Sequence, residues 1–153
     1  MNRTVLDADT VVRALQGAFA RDVGRQALLD LVATRLRTAG SPYTGVYLYM
    51  LHDDMLVLEA FDGRPTHHTR IPVGHGICGR AVAERRDLNV PDVAQAHDYL
   101  ACSIETRSEL VVLIRRHDEI LGQIDIDSDV VDGFDADEEA AVRAVADALA
   151  ALL

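Results

Sequence analysis

The stretch 109–127, ELVVLIRRHDEILGQIDID, leaves a chain of this kind few ways to fold. Leu110, Val112 and Ile114 alternate with Glu109, Val111 and Leu113, and Ile120, Gly122, Ile124 and Ile126 alternate with Leu121, Gln123, Asp125 and Asp127. Strand side chains point to opposite faces with a period of two, so the spacing predicts two strands joined by a tight turn. If the apolar rows share one core, matching faces must be paired, and that register sets Glu109 beside Asp125 or Asp127. The three acids then cluster on one face. Carboxylates brought together in a partly buried place repel one another unless a cation, a proton or a hydrogen-bond donor offsets them. A thiol, Cys102, stands just before the first strand.

The remaining segments supply what such a hairpin packs against. Thr4 to Phe19 carries Val5, Val12, Leu15 and Phe19 at loosely helical spacing, and Arg25 to Thr38 carries Leu28, Leu31, Val32 and Leu36. Gly40-Ser41-Pro42 ends that part. Thr44 to Leu51 and Met55 to Phe61 read as a hairpin around His52-Asp53-Asp54, followed by a short strand within His67 to Ile71, a short helix over Arg80 to Arg86 and a short strand Leu88-Asn89-Val90. At the other end Asp135 can cap a helix, with Glu138 three positions on and an apolar stripe of Val142, Val145, Leu149 and Leu152. Helices at both ends and strands between them predict an α+β domain with a central antiparallel sheet.

Composition narrows the partners. The chain of 153 residues suffices for one core, and its formal net charge of −10 disfavours nucleic acid and anionic membrane surfaces. No apolar run is long enough to cross a bilayer and the first residues lack a secretory apolar segment, so the expected location is the cytoplasm. In that compartment the two cysteines are expected to be reduced.

Two motifs are weighed and set aside. Gly74 to Gly79 matches G-x-G-x-x-G, but Pro72 interrupts the approach and no βαβ unit surrounds it, so no dinucleotide site is expected. The glycines instead turn the backbone into a helix, leaving Cys78 near the N-terminus, where backbone dipoles favour a thiolate. No paired Cys-x-x-Cys or His-Glu-x-x-His motif occurs, and no metal site is expected.

Gly74-His75-Gly76-Ile77-Cys78-Gly79, Val90-Pro91-Asp92-Val93, Leu100-Ala101-Cys102, Ser108-Glu109-Leu110-Val111-Val112 and Gly122-Gln123-Ile124-Asp125-Ile126-Asp127-Ser128 together resemble a GAF domain, and within GAF domains the free methionine-(R)-sulfoxide reductases. The resemblance implies one GAF domain over 1–153, with terminal helices on one face of the sheet and a ligand pocket on the other, often as a homodimer. It implies Cys102 as the catalytic thiol, Cys78 as a second family cysteine, Asp127 or Glu109 as the proton donor, and Glu109, Asp125, Asp127 and Tyr43 as substrate-binding residues. It implies no bound cofactor, a free amino-acid sulfoxide as substrate and an external thiol such as thioredoxin as reductant. At position 68, where the family usually has a third cysteine, the chain has His68. A rival reading is a non-catalytic GAF sensor for a small zwitterionic or cationic metabolite.

Overall fold

A computed structural model describes residues 4–96 and 104–153. The elements follow in the order α1 (Ala8–Ala20), α2 (Arg25–Thr38), β1 (Gly45–His52), β2 (Met55–Asp62), β3 (Arg70–Pro72), α3 (Gly76–Glu84), β4 (Leu88–Val90), β5 (Ser108–Arg116), β6 (Glu119–Ser128) and α4 (Ala136–Leu152), with a 3-10 turn at Val93–Gln95. The strands form one six-stranded antiparallel sheet in the order β3-β2-β1-β6-β5-β4.

Alternation along the central strands divides the molecule into two apolar layers. Leu110, Val112, Ile114, Ile124 and Ile126 join Leu15, Leu29, Val32, Val142, Val145 and Leu149 in the larger core, between the sheet and helices α1, α2 and α4. Val111 and Leu113 face the other way, with Tyr47, Tyr49, Leu56, Ile71 and the α3 residues Ile77, Cys78, Ala81 and Val82. The terminal helices therefore cover one face, as the resemblance implies, and α3 covers part of the other. At the turn end of the β5–β6 ladder the register shifts by one residue between Ile114 and Arg115. A slip of one residue exchanges faces, which is why Ile120 packs in the α3 layer while Leu121 packs against the larger core.

The N-terminal helix begins later than its apolar residues suggest. Asp7 caps it through Thr10 N at 3.2 Å, and the preceding amides are taken by another element. Val5 N and Leu6 N donate to Oε2 and Oε1 of Glu138 at 2.6 and 3.2 Å, and the Tyr43 hydroxyl donates to Oε1 at 2.7 Å. Asp135 caps α4 by accepting from Glu138 N at 2.9 Å, as the sequence predicts. The Glu138 side chain, however, reaches across to the N-terminal segment and Tyr43. A buried carboxylate is thus matched by three donors. No described helix is long and apolar enough to cross a membrane.

Candidate active site

The acid cluster is made by strand pairing. Asp127 lies opposite Glu109 on β5 and Gly45 on β1, and Asp125 lies opposite Val111 and Tyr47. Of the two partners that alternation allows Glu109, the ladder selects Asp127. Glu109, Asp125 and Asp127 are 5%, 2% and 5% exposed, so all three carboxyls are withdrawn from water on the face covered by α3. Gly45 leaves the row without a side chain on β1, and a Cβ there would meet the Tyr47 ring at 2.9–3.0 Å.

Helix α3 brings Cys78 onto the cluster. A Cβ at Gly79 would stand 2.6 Å from Pro72 O and 2.9 Å from Gly74 N, so only glycine lets the helix sit this close to the preceding turn. Gln123 on β6 donates from Nε2 to Cys78 O at 2.9 Å and ties the helix to the sheet. The Cys78 thiol approaches Glu109 Oε2 at 3.8 Å. Among the described residues, Tyr49, His68, Ile71, Ile77, Cys78, Glu109 and Asp125 line a small cavity with room for roughly one water molecule.

Two tyrosines on β1 hold the segment that bears His68. Tyr47 donates its hydroxyl to Arg64 O at 2.6 Å and Tyr49 to His68 O at 2.7 Å. Arg64 itself forms a fork on Asp129, with Nη1–Oδ1 at 2.9 Å and Nη2–Oδ2 at 2.5 Å, and its Nε lies 3.3 Å from Glu105 Oε2. The strand expected within His67 to Ile71 is displaced to Arg70–Pro72: His68 O is taken by the Tyr49 hydroxyl and His67 O by the turn amide of Thr69, so neither joins the ladder.

Electrostatics here are governed by burial. Desolvation pushes the Asp125 carboxyl up, offset in part by hydrogen bonds from Glu109 and Cys78. Asp127 is pushed well above the usual carboxylate range by desolvation first, then by Asp125 and Asp129, with Arg64 acting in the opposite direction. The same environment corrects the expectation of a dipole-stabilised thiolate at Cys78. Burial, followed by the negative fields of Asp125, Glu109 and Asp127, drives that thiol well above its ordinary range, so it is held as S–H.

A second correction concerns Tyr43. It lies before β1, in a turn where Tyr43 N bonds Gly40 O and Thr44 N bonds Pro42 O, and its ring is buried in the helix-side core, edge-on to Phe134 at 5.6 Å. With its hydroxyl on Glu138 it is a structural residue on the opposite face from the cavity. Cys102, assigned the attacking thiol by resemblance, lies outside the described residues. Tyr47, Tyr49, His68 and Gln123 are neighbours of the cluster that sequence reasoning did not assign to the cavity. The period-two pattern of β1 carries the signal for both tyrosines, once β1 is known to pair with β6.

The residues Arg25 to Leu153 fall within a match to the GAF domain model, which spans 24–153. The free methionine-R-sulfoxide reductase of Escherichia coli is 33% identical over 143 residues, covering 94% of this chain and 86% of that protein. The Saccharomyces cerevisiae protein of the same name is 37% identical over 95 residues, 61% of this chain and 52% of its own. Among solved structures, the Neisseria meningitidis free methionine-R-sulfoxide reductase in complex with its substrate superimposes with a TM-score of 0.88 at 29% identity, over 99% of this chain and 91% of that one. The Staphylococcus aureus enzyme in complex with substrate gives 0.86 at 30% identity, over 100% and 98%. An acidic row on a GAF-like sheet and relatives alike over nearly the whole chain lead to one conclusion: this protein belongs to the GAF domain family and, within it, to the free methionine-R-sulfoxide reductases.

Proposed function

We propose that the protein reduces free methionine-(R)-sulfoxide to methionine at the acidic face of its sheet. The observation that carries this reading is the buried row Glu109, Asp125 and Asp127, which offers carboxyl groups to the ammonium of a free amino acid and a raised, protonated carboxyl to its sulfoxide oxygen. A phosphate-bearing ligand would be repelled by the same row.

In this mechanism the Cys102 thiolate attacks the sulfoxide sulfur and Asp127 or Glu109 protonates the departing oxygen. The S–O bond breaks as the protonated oxygen passes to the Cys102 sulfur, so methionine leaves with its sulfur reduced by two electrons and Cys102 is oxidised to a sulfenic acid. A second thiol, Cys78 or an external one, then displaces water from the sulfenic acid to form a disulfide, and a dithiol reductant of the thioredoxin type restores both thiols. With His68 in the place of a further family cysteine, the raised pKa of Cys78 makes that thiol a slow partner, which favours an external thiol for this step. A cytoplasmic location and a homodimer belong to the same proposal.

The test is turnover of free methionine-(R)-sulfoxide with thioredoxin or dithiothreitol, in the natural protein beside Cys102→Ser and Cys78→Ser. Activity abolished by Cys102→Ser supports the enzyme. Folded protein without turnover under either reductant would leave a sensor for a zwitterionic metabolite as the better reading.

A further inference from the structure

We propose that Cys78, Glu109 and Asp125 form a binding site for a thiophilic divalent cation of the Zn²⁺ or Cd²⁺ type. The proposal concerns binding and does not depend on turnover.

A sulfur and two carboxylate oxygens, one from each residue, lie within 4.8 Å of one another. They come from three separate elements, α3, β5 and β6, whose relative positions are fixed by sheet pairing and by the Gln123–Cys78 hydrogen bond. In a tetrahedral zinc site, bond lengths of about 2.0–2.3 Å place neighbouring ligand atoms about 3.3–3.8 Å apart. The separation of 3.8 Å between Cys78 Sγ and Glu109 Oε2 is near that value before any metal draws the groups in.

A second, independent observation points to a missing ligand. Asp125 is 2% exposed and its Oδ1, fully enclosed, has no hydrogen-bond partner among the described residues. Buried carboxylate oxygens without a donor are costly. Asp125 lines the same cavity as Cys78 and Glu109 and contributes one carboxyl oxygen to the group of three ligand atoms, so a cation held between them would compensate this under-bonded carboxyl. Among the described residues that line the cavity, none is an arginine.

Charge balances in the exchange. The dication displaces the proton of the Cys78 thiol and the proton of the hydrogen-bonded Glu109–Asp125 carboxyl pair, both released to solvent, with no change of oxidation state. Sulfur together with oxygen ligands favours Zn²⁺ and Cd²⁺ over Mg²⁺ and Ca²⁺, which take oxygen ligands alone.

The experiment is a titration of the full, reduced, metal-free chain carrying Cys102→Ser with Cd²⁺, read by the ultraviolet sulfur-to-cadmium charge-transfer band and by calorimetry. One Cd²⁺ per chain with a charge-transfer band is expected, the band is lost in an added Cys78→Ala, and Asp125→Asn weakens binding at least tenfold while retaining the thiol. Circular dichroism establishes that each variant is folded. A band that survives Cys78→Ala overturns the proposal, as does undiminished affinity in both Asp125→Asn and Glu109→Gln, or the absence of any band in the Cys102→Ser chain.

Discussion

Asp127 stands directly opposite Glu109 in the β5–β6 ladder, with both carboxyls nearly closed to water. Two acids at adjoining places on one buried face cannot both ionise cheaply, and burial keeps Asp127 in its protonated form beyond the usual range. The pair therefore joins a group able to give a proton with one able to accept a cation.

If Asp127 supplies the proton, Asp127→Asn keeps a hydrogen-bond donor but removes the acid. Its kcat should fall about 10²–10⁴-fold with little change in KM. Glu109→Gln, which removes charge facing the substrate ammonium, should instead raise KM. Steady-state kinetics on the two variants distinguish these outcomes, and an Asp127→Asn enzyme of unaltered kcat would remove Asp127 from the chemistry.

Stability should depend on pH through the same groups. As pH rises through 3.8, the unfolded chain loses the Asp125 and Asp127 protons before the folded chain does. The folded state then binds more protons, so stability falls with rising pH until the buried carboxyls ionise. Asp129, held below 3.8 chiefly by its hydrogen bond to Arg64, acts oppositely: its contribution is present above that pH and is lost as pH falls through the lowered value. Urea midpoints between about pH 5 and about pH 8 should decline in the natural chain and decline less in Asp125→Asn. Parallel profiles would show that Asp125 is not the source.

The native Cys78 thiol should resist alkylation. In Cys102→Ser protein near neutral pH, iodoacetamide should modify Cys78 at least about 100-fold more slowly than it does after unfolding, since the thiolate is the reactive form and burial suppresses it. Mass spectrometry over time reads the rate. Rapid labelling of folded protein would restore the helix-dipole picture.

Tyr43→Phe should cost about 1–2 kcal/mol of stability by removing one of the donors to the Glu138 carboxylate, while leaving KM for the sulfoxide unchanged. Denaturant unfolding and steady-state kinetics measure both. A raised KM without loss of stability would place Tyr43 at the substrate after all.

The shared face of the three acids was legible because alternation sorts each strand into two rows, whereas the choice of Asp127 over Asp125 as the partner of Glu109 was left to the strand pairing. Tyr43 was not, because its direction depends on where β1 begins: with the strand starting at Gly45, a turn rotates the ring to the helix side. The shift at Ile114/Arg115 likewise leaves no mark in the spacing of apolar residues, yet it carries Ile120 to the opposite layer. At Cys78 the helical position was readable and the protonation state was not, since burial by strands distant in sequence outweighs the dipole of a short helix.

The β1 tyrosines grip the segment above the cavity by its main-chain oxygens, at residues 64 and 68. A hydroxyl bonded to a carbonyl is blind to which side chain that residue carries. Position 68 is thus anchored through its backbone oxygen, a contact that any side chain at that residue leaves in place. Evolution can therefore vary the side chain at residue 68 without releasing this main-chain tether of the segment to β1.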